Sequence, residues 1–152
     1  MAEIMTTRGP ISADQLGVTD YHEHLYVEPP SWLHKSDPDF ALNSVEKSSE
    51  ELKRFAAAGG RTLCELTAVD FGRNMAKIKA VADNVPEVNV IVTAGYNRPS
   101  YMGRWVHAVA EADMVRDTVR DLTKGIDGTD VKAGIIKCGT EYNNFNESGR
   151  KL

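Results

Sequence analysis

Apolar residues in this chain fall into two kinds of stretch that take turns. Short runs rich in β-branched residues cover Gly17 to Tyr21, Thr62 to Thr67, Val88 to Ala94 and Ala133 to Cys138. Apolar runs of this length, bounded by turn residues, predict strands. Between them, apolar positions recur at helical spacing and predict helices from about Ser44 to Ala58, Arg73 to Asn84 and His107 to Lys124. The first has Asn43 at its N-cap position, an apolar face of Val45, Leu52, Phe55 and Ala56, and Gly59-Gly60 as its stop. Met75, Ile78, Val81 and Ala82 mark the inner face of the second, and Val115, Val119 and Leu122 that of the third. Phe145 to Leu152 reads as the start of a fourth helix. Tyr26 to about Ala41, rich in proline, tryptophan and aspartate, reads as a loop, as does the aromatic stretch from Gly95 to Trp105.

Strands alternating with helices of this length mean βαβ units and a parallel sheet. Two architectures fit: an open doubly wound sheet, or a (β/α)8 barrel of which 152 residues supply only a part, since a full barrel takes about 250. No glycine-rich phosphate turn follows the first strand, which argues against dinucleotide binding. The chain is long enough for one domain, residues 1–152, with a sizeable core. Its 41% hydrophobic and 26% charged residues read as globular, and a net charge of −4 with both signs scattered offers no stripe for nucleic acid. No window approaches the roughly 18 apolar residues of a membrane span, and the N-terminus lacks the apolar core of a secretory signal. Cys64 and Cys138 lie in separate strand-like runs, so reduced thiols and a cytoplasmic location are expected.

Two oddities carry the chemistry. Lys137 sits in Ala133-Gly134-Ile135-Ile136-Lys137-Cys138, a strand expected to be covered on both faces. There, either the side chain snorkels past the strand's C-terminal end, or burial pulls its pKa down from about 10.4 and the neutral amine is used. His22 and His24 flank Glu23 at the end of the first strand. Residues two apart in a strand point to one side, so both imidazoles aim at a common point while Glu23 aims away. Such a pair is a common way to offer two nitrogen ligands to one divalent ion. Both features lie at C-terminal strand ends, where parallel α/β folds gather ligands and catalysis. Glu65, a charge within an apolar strand, either supports a ligand histidine from behind or pairs with a nearby cation. Tyr96, Arg98, Tyr101 and Trp105, with Arg104 and Trp32 beside them, form either a substrate wall or a loop packed on its own rim. Cys138 is expected to be a small buried packing residue, and His34 and His107 are not expected to bind metal.

The run Gly17-Val18-Thr19-Asp20-Tyr21-His22-Glu23-His24-Leu25 resembles the first-strand signature of the phosphotriesterase family of the amidohydrolase superfamily. Ala57-Ala58-Gly59-Gly60-Arg61-Thr62 with Asp70-Phe71-Gly72-Arg73, then Thr93-Ala94-Gly95-Tyr96, then Ala133-Gly134-Ile135-Ile136-Lys137, resemble that family's second, third and fourth strand regions in order. The resemblance implies a TIM barrel with two divalent metals, usually zinc, with manganese, cobalt or iron also suited. It implies that His22 and His24 bind the more buried metal. It further implies that CO2 carboxylates Lys137 to a carbamate bridging both metals, and that a water activated between them attacks an ester, lactone or phosphoester centre. Lactones are the substrate class expected, and a homodimer the expected assembly. The family's remaining ligands, two histidines from the fifth and sixth strands and an aspartate from the eighth, have no counterpart in these 152 residues. The alternative expectation is therefore a non-catalytic half-barrel that binds at most one metal and self-associates.

Overall fold

A computed structural model describes residues 3–102, 105–140 and 147–152, without the side chains of Met102, Trp105 and Ser148. Four strands, β3 (Thr19–Glu23), β4 (Thr62–Glu65), β5 (Asn89–Tyr96) and β6 (Ile135–Cys138), form one sheet in the order β3-β4-β5-β6, every pair parallel. Because spatial order equals chain order, each crossover steps the same way around the sheet. A doubly wound sheet would reverse order at its switch point. This sheet is singly wound, which is half of a (β/α)8 barrel.

The two faces of the sheet separate by residue parity. Leu63, Val90, Val92 and Ala94 pack outward against the helices α2 (Val45–Ala57) and α3 (Met75–Asp83), meeting Leu52, Met75, Ile78, Val81 and Ala82. The inner face carries Cys64, Leu66 and Ile91, covered by Ile4, Leu16 and Ile135. Ile4 belongs to an antiparallel hairpin, β1 (Glu3–Thr6) and β2 (Gly9–Ser12), which docks through the amide of Thr7 on the carbonyl of Val90 (2.8 Å). Sequence periodicity does not reveal this hairpin, whose strands are four residues each.

Several boundaries differ from expectation for local reasons. The N-cap of α2 is Ser44 rather than Asn43, its hydroxyl accepting from the amide of Lys47 (3.3 Å), and α3 starts two residues later than expected because Asn74 caps it through Lys77. The expected loop from Tyr26 to Ala41 contains a short helix α1 (Ser31–Ser36), and the loop after β5 contains α4 (Pro99–Met102). The single helix expected from His107 to Lys124 is two, α5 (Trp105–Ala108) and α6 (Glu111–Thr123), with Ala110 in extended conformation between them. The chain's described residues end in α7 (Glu147–Lys151). No helix among the described residues is long and apolar enough to cross a membrane.

Three expectations about burial are corrected by the position of β6. It is an edge strand, so it is not covered on both faces: Ile136 is 57% exposed, Lys137 half-buried, and Cys138 exposed rather than packed. On the same open flank, Val115 and Val119 of α6 are exposed and line a cavity of about 390 Å³ with Ile136 instead of filling a core. At the opposite edge, Val18 and Tyr21 of the β3 region are 66% and 79% exposed.

Candidate metal centre

The C-terminal end of β4 is the scaffold on which the candidate residues meet. Beyond Glu65 the chain runs Leu66-Thr67, and these two consecutive residues hold one side chain each. The Lys137 ammonium donates to the carbonyl of Leu66 (3.1 Å), and Nδ1 of His24 lies 2.8 Å from the hydroxyl of Thr67. Parallel pairing brings the ends of β3 and β6 to this point, and the amide of Leu66 in turn donates to the carbonyl of Glu23 (2.8 Å). On the far side of β5, Lys137 pairs with Gly95, whose φ is +88° and where a Cβ would stand 2.2 Å from the Lys137 carbonyl. Glycine there lets β6 approach closely enough for the amine to reach across.

His22 and His24 lie with ring centroids 5.7 Å apart in an edge-on arrangement, His22 exposed and His24 half-buried. The pairing register slips between Asp20 and Glu23, and the amide of His22 is held by the Asp20 carboxylate (3.1 Å). Burial depresses the His24 pKa to about 4, helped by the positive charges of Lys137 and His22. The ring is therefore neutral at physiological pH. Lys137 is also lowered, first by burial and then by Arg98, against the opposing pull of Asp70 and Glu65.

Glu65 is fully buried. Its carboxylate accepts from the amides of Leu25 and Thr67 (2.7 Å for the latter) and from the Thr67 hydroxyl. In the tautomer that carries its proton on Nδ1, His24 would donate to the Thr67 hydroxyl and keep Nε2 as a lone pair. Glu65 thus reaches the histidine through Thr67, a link that spacing alone does not show. Burial pushes Glu65 up to about 7, against those three hydrogen bonds, with Glu23 adding to the rise. An acid held above its unfolded value of 4.5 binds its proton more tightly when folded. Its contribution is full below that value and is lost as pH rises through the folded one. Urea titrations should accordingly show stability falling between about pH 5 and 8, with a smaller fall in Glu65→Gln; an unchanged slope in that variant would place the titration elsewhere.

The tetrapeptide Asp70-Phe71-Gly72-Arg73 follows β4, and each residue has a separate job. Asp70, which sequence reading did not single out as a site residue, accepts from the amides of Asn97 (2.7 Å) and Arg98 (3.0 Å), fixing the loop after β5. Phe71 stacks on Tyr101 (5.2 Å, 15°) and meets His24 edge-on (5.2 Å). Gly72 adopts φ +89°, with the Glu28 carbonyl 1.9 Å from where a Cβ would lie. Arg73 turns under the sheet to Asp121 and Asp127.

Of the proposed wall, Tyr101 and Arg98 face one another, the guanidinium 4.7 Å from the ring centroid, and Trp32 lies 6.2 Å from Tyr101. Tyr96 is buried among Val106 and Met114. Arg104 and the Trp105 side chain lie outside the described residues. His34 and His107 are exposed on α1 and α5. Among the described residues, no three His, Cys, Asp or Glu side chains converge. The donor set is two imidazoles and one desolvated amine.

A singly wound parallel half-barrel with such a set at its C-terminal strand ends belongs to the class of (β/α)8-barrel proteins that build polar sites on that rim. The phosphotriesterase family model matches residues 2–152, and the chain belongs to that family. It is 34% identical to a phosphotriesterase homology protein of Mycobacterium tuberculosis, over 93% of this chain and 46% of that one. It is 26% identical to a phospho-furanose lactonase of Mycoplasmopsis agalactiae, over 91% of this chain and 43% of that one. The crystal structure of a lactonase from Listeria monocytogenes superposes with a TM-score of 0.91 at 28% identity, over 99% of this chain and 51% of the other. The chain thus spans about half the length of these relatives.

Proposed function

We propose that residues 1–152 are the N-terminal half of a metal-dependent hydrolase that cleaves ester bonds, with lactones as its substrate class. One observation carries this reading: His24 and Lys137, from opposite edges of the sheet, are held by adjacent residues Thr67 and Leu66, with the imidazole neutral and the amine desolvated. That donor chemistry fits a divalent ion. His22 and His24 would hold it, and Lys137 would join them once carboxylated. In that step the neutral amine nitrogen bonds to the carbon of CO2, one C=O electron pair moves to oxygen, and the nitrogen's proton leaves to solvent. A divalent ion, zinc or alternatively manganese, cobalt or iron, supplies Lewis acidity toward an ester carbonyl and lowers the pKa of water. The residues of this chain do the rest: the Glu65–Thr67 pair fixes the His24 tautomer, and Asp70 fixes the loop that carries Arg98. The names of two relatives, a phospho-furanose lactonase and a lactonase, support the lactone class.

Elemental analysis of protein purified without chelator, with a lactone and phosphotriester panel, tests this. The expected result is near two divalent ions per chain in the complete barrel and faster turnover of lactones. Metal-free protein whose folding is indifferent to His22→Ala and His24→Ala overturns it. A second reading, a half-barrel that binds at most one metal and self-associates, is favoured by the exposed Val18 and Tyr21 at one sheet edge and Ile136 at the other. Sedimentation showing dimers or larger species with one metal or none would select it.

A further inference from the structure

We infer that the N-terminal end of the sheet carries a second binding site, for a small oxyanion, a phosphate or a carboxylate, held chiefly by the Thr7 hydroxyl and the Lys132 ammonium. It lies at the opposite end of the strands from His24 and Lys137 and does not depend on the hydrolase reading above.

A cavity of about 610 Å³ opens between the turn of the β1–β2 hairpin, the second half of α3 and the segment that leads into β6; Thr7, Arg8, Lys79, Asp83, Asp130 and Lys132 line it. Its walls are fixed by the fold. In the hairpin turn the Thr6 hydroxyl donates to the Gly9 carbonyl (2.7 Å) and accepts from the Arg8 amide (3.2 Å), while the Thr7 amide donates to the Val90 carbonyl (2.8 Å). On the other wall, the Val131 carbonyl accepts from the Ile126 amide (2.9 Å), and the Ala133 amide donates to the Asp121 carbonyl (2.9 Å). The backbone is therefore tied down on both sides of Lys132. Hairpin and segment also touch: a Cβ at Gly134 would stand 2.4 Å from the Met5 carbonyl.

Within this frame one group is unsatisfied. Thr7 is 5% exposed, and among the described residues its hydroxyl is the one buried side-chain oxygen or nitrogen without a hydrogen-bond partner. A shielded hydroxyl left unpaired is unfavourable, and native folds leave few of them. The neighbouring Thr6 shows the contrast, since its hydroxyl both donates and accepts.

The surrounding charges select the ligand. Arg8 directs its guanidinium at the carbonyls of Ala82 (2.8 Å), Pro86 (3.0 Å) and Val88 (2.6 Å), which anchors it at the end of α3 without a carboxylate opposite its charge. Lys79 neutralises Asp83 (2.7 Å). Lys132 is half-buried and forms no ion pair among the described residues, and Asp130 is exposed. Three cations thus face two carboxylates, one of which is already paired. A surplus of positive charge beside a spare O–H donor suits an oxyanion, whose hydrogen bonds to such groups are charge-assisted. A divalent cation would lack ligands, because no three His, Cys, Asp or Glu side chains converge among the described residues. Once bound, the oxyanion would bridge the hairpin to the segment entering β6.

Calorimetry and thermal unfolding of the 152-residue chain in sodium phosphate, sodium acetate and sodium chloride of equal ionic strength test this. Phosphate or acetate should raise the melting temperature along a saturable curve that chloride does not give. The tighter of the two tells a phosphate ligand from a carboxylate. Thr7→Val removes the hydroxyl at nearly constant volume, and Lys132→Gln removes the charge. Each should weaken binding by about tenfold, the loss of one charge-assisted hydrogen bond. A hydroxyl that merely holds a water would make Thr7→Val shift the melting temperature equally in all three salts, which overturns the inference. So would anion binding that survives both variants, since it would then belong to the other rim. Lys132→Gln alters no fold contact among the described residues, so it decides the matter even if Thr7→Val does not fold.

Discussion

On the proposed reading, replacing Lys137 by alanine should lower lactone turnover by on the order of 10³-fold or more, because several kcal/mol of transition-state stabilisation would depend on the metal that Lys137 would help to hold. The same change should barely affect folding. Among the described residues Lys137 makes one side-chain hydrogen bond, to the Leu66 carbonyl, from an edge strand whose flank is open. A half-exposed hydrogen bond of that kind contributes about 1 kcal/mol. The informative companion is Lys137→Arg. Arginine keeps a positive charge near Asp70 and Glu65 but cannot present a neutral amine, so it cannot take up CO2. If position 137 only balances the charge of those carboxylates, arginine serves and metal content is unchanged. If it is a ligand after carboxylation, arginine is as damaging as alanine, with metal per chain falling in both. Metal-replete, active Lys137→Arg protein would remove the basis of the proposed centre.

The residues that the sequence makes legible are those whose chemical type clashes with their surroundings. A lysine in an apolar strand and two histidines at strand spacing stand out from their neighbours. They do come together, because parallel strands in sequential order bring every C-terminal end to one rim. What holds them is far less visible. The Leu66 carbonyl and the Thr67 hydroxyl are ordinary groups, and their roles follow from register. Asp70 acts on amides 27 and 28 positions away, a relation with no periodic trace. The break at Ala110 leaves no mark on the apolar pattern, because the positions that predict the third helix, Val115, Val119 and Leu122, all lie beyond it in α6. Cys138 and the Val115–Val119 face were misjudged for a single reason: apolar periodicity tells which side of an element is meant to be covered, not whether a neighbour covers it.

The largest loss of stability should come from a residue outside the candidate centre. The Arg73 side chain is 2% exposed and donates to the Thr93 carbonyl (3.0 Å), to Asp121 (2.9 Å) and twice to Asp127 (2.9 and 3.2 Å). It thereby ties the entry of α3 to β5, to α6 and to the turn where Asp127 adopts φ +50°, a left-handed conformation rare for a non-glycine residue. Arg73→Met fills similar volume but strands Asp121, whose side chain is 6% exposed, with only the surface residue Arg120 still opposite it. Removing one partner of a buried pair costs about 3–5 kcal/mol, a large share of the roughly 5–15 kcal/mol that holds a domain together. At about 2–4 °C per kcal/mol for a chain of this size, the melting temperature should fall by ~10 °C. Arg73→Lys should recover little, since one ammonium cannot span three acceptors. The double variant Arg73→Met with Asp121→Leu should recover much of the loss, because the penalty lies in the abandoned carboxylate rather than in the missing attraction. A single variant within about 1 kcal/mol of wild type by urea unfolding would show the network to be ornamental. The Thr93 carbonyl that Arg73 holds lies three residues before Tyr96, so in the destabilised variant the loop bearing Arg98 should loosen as well.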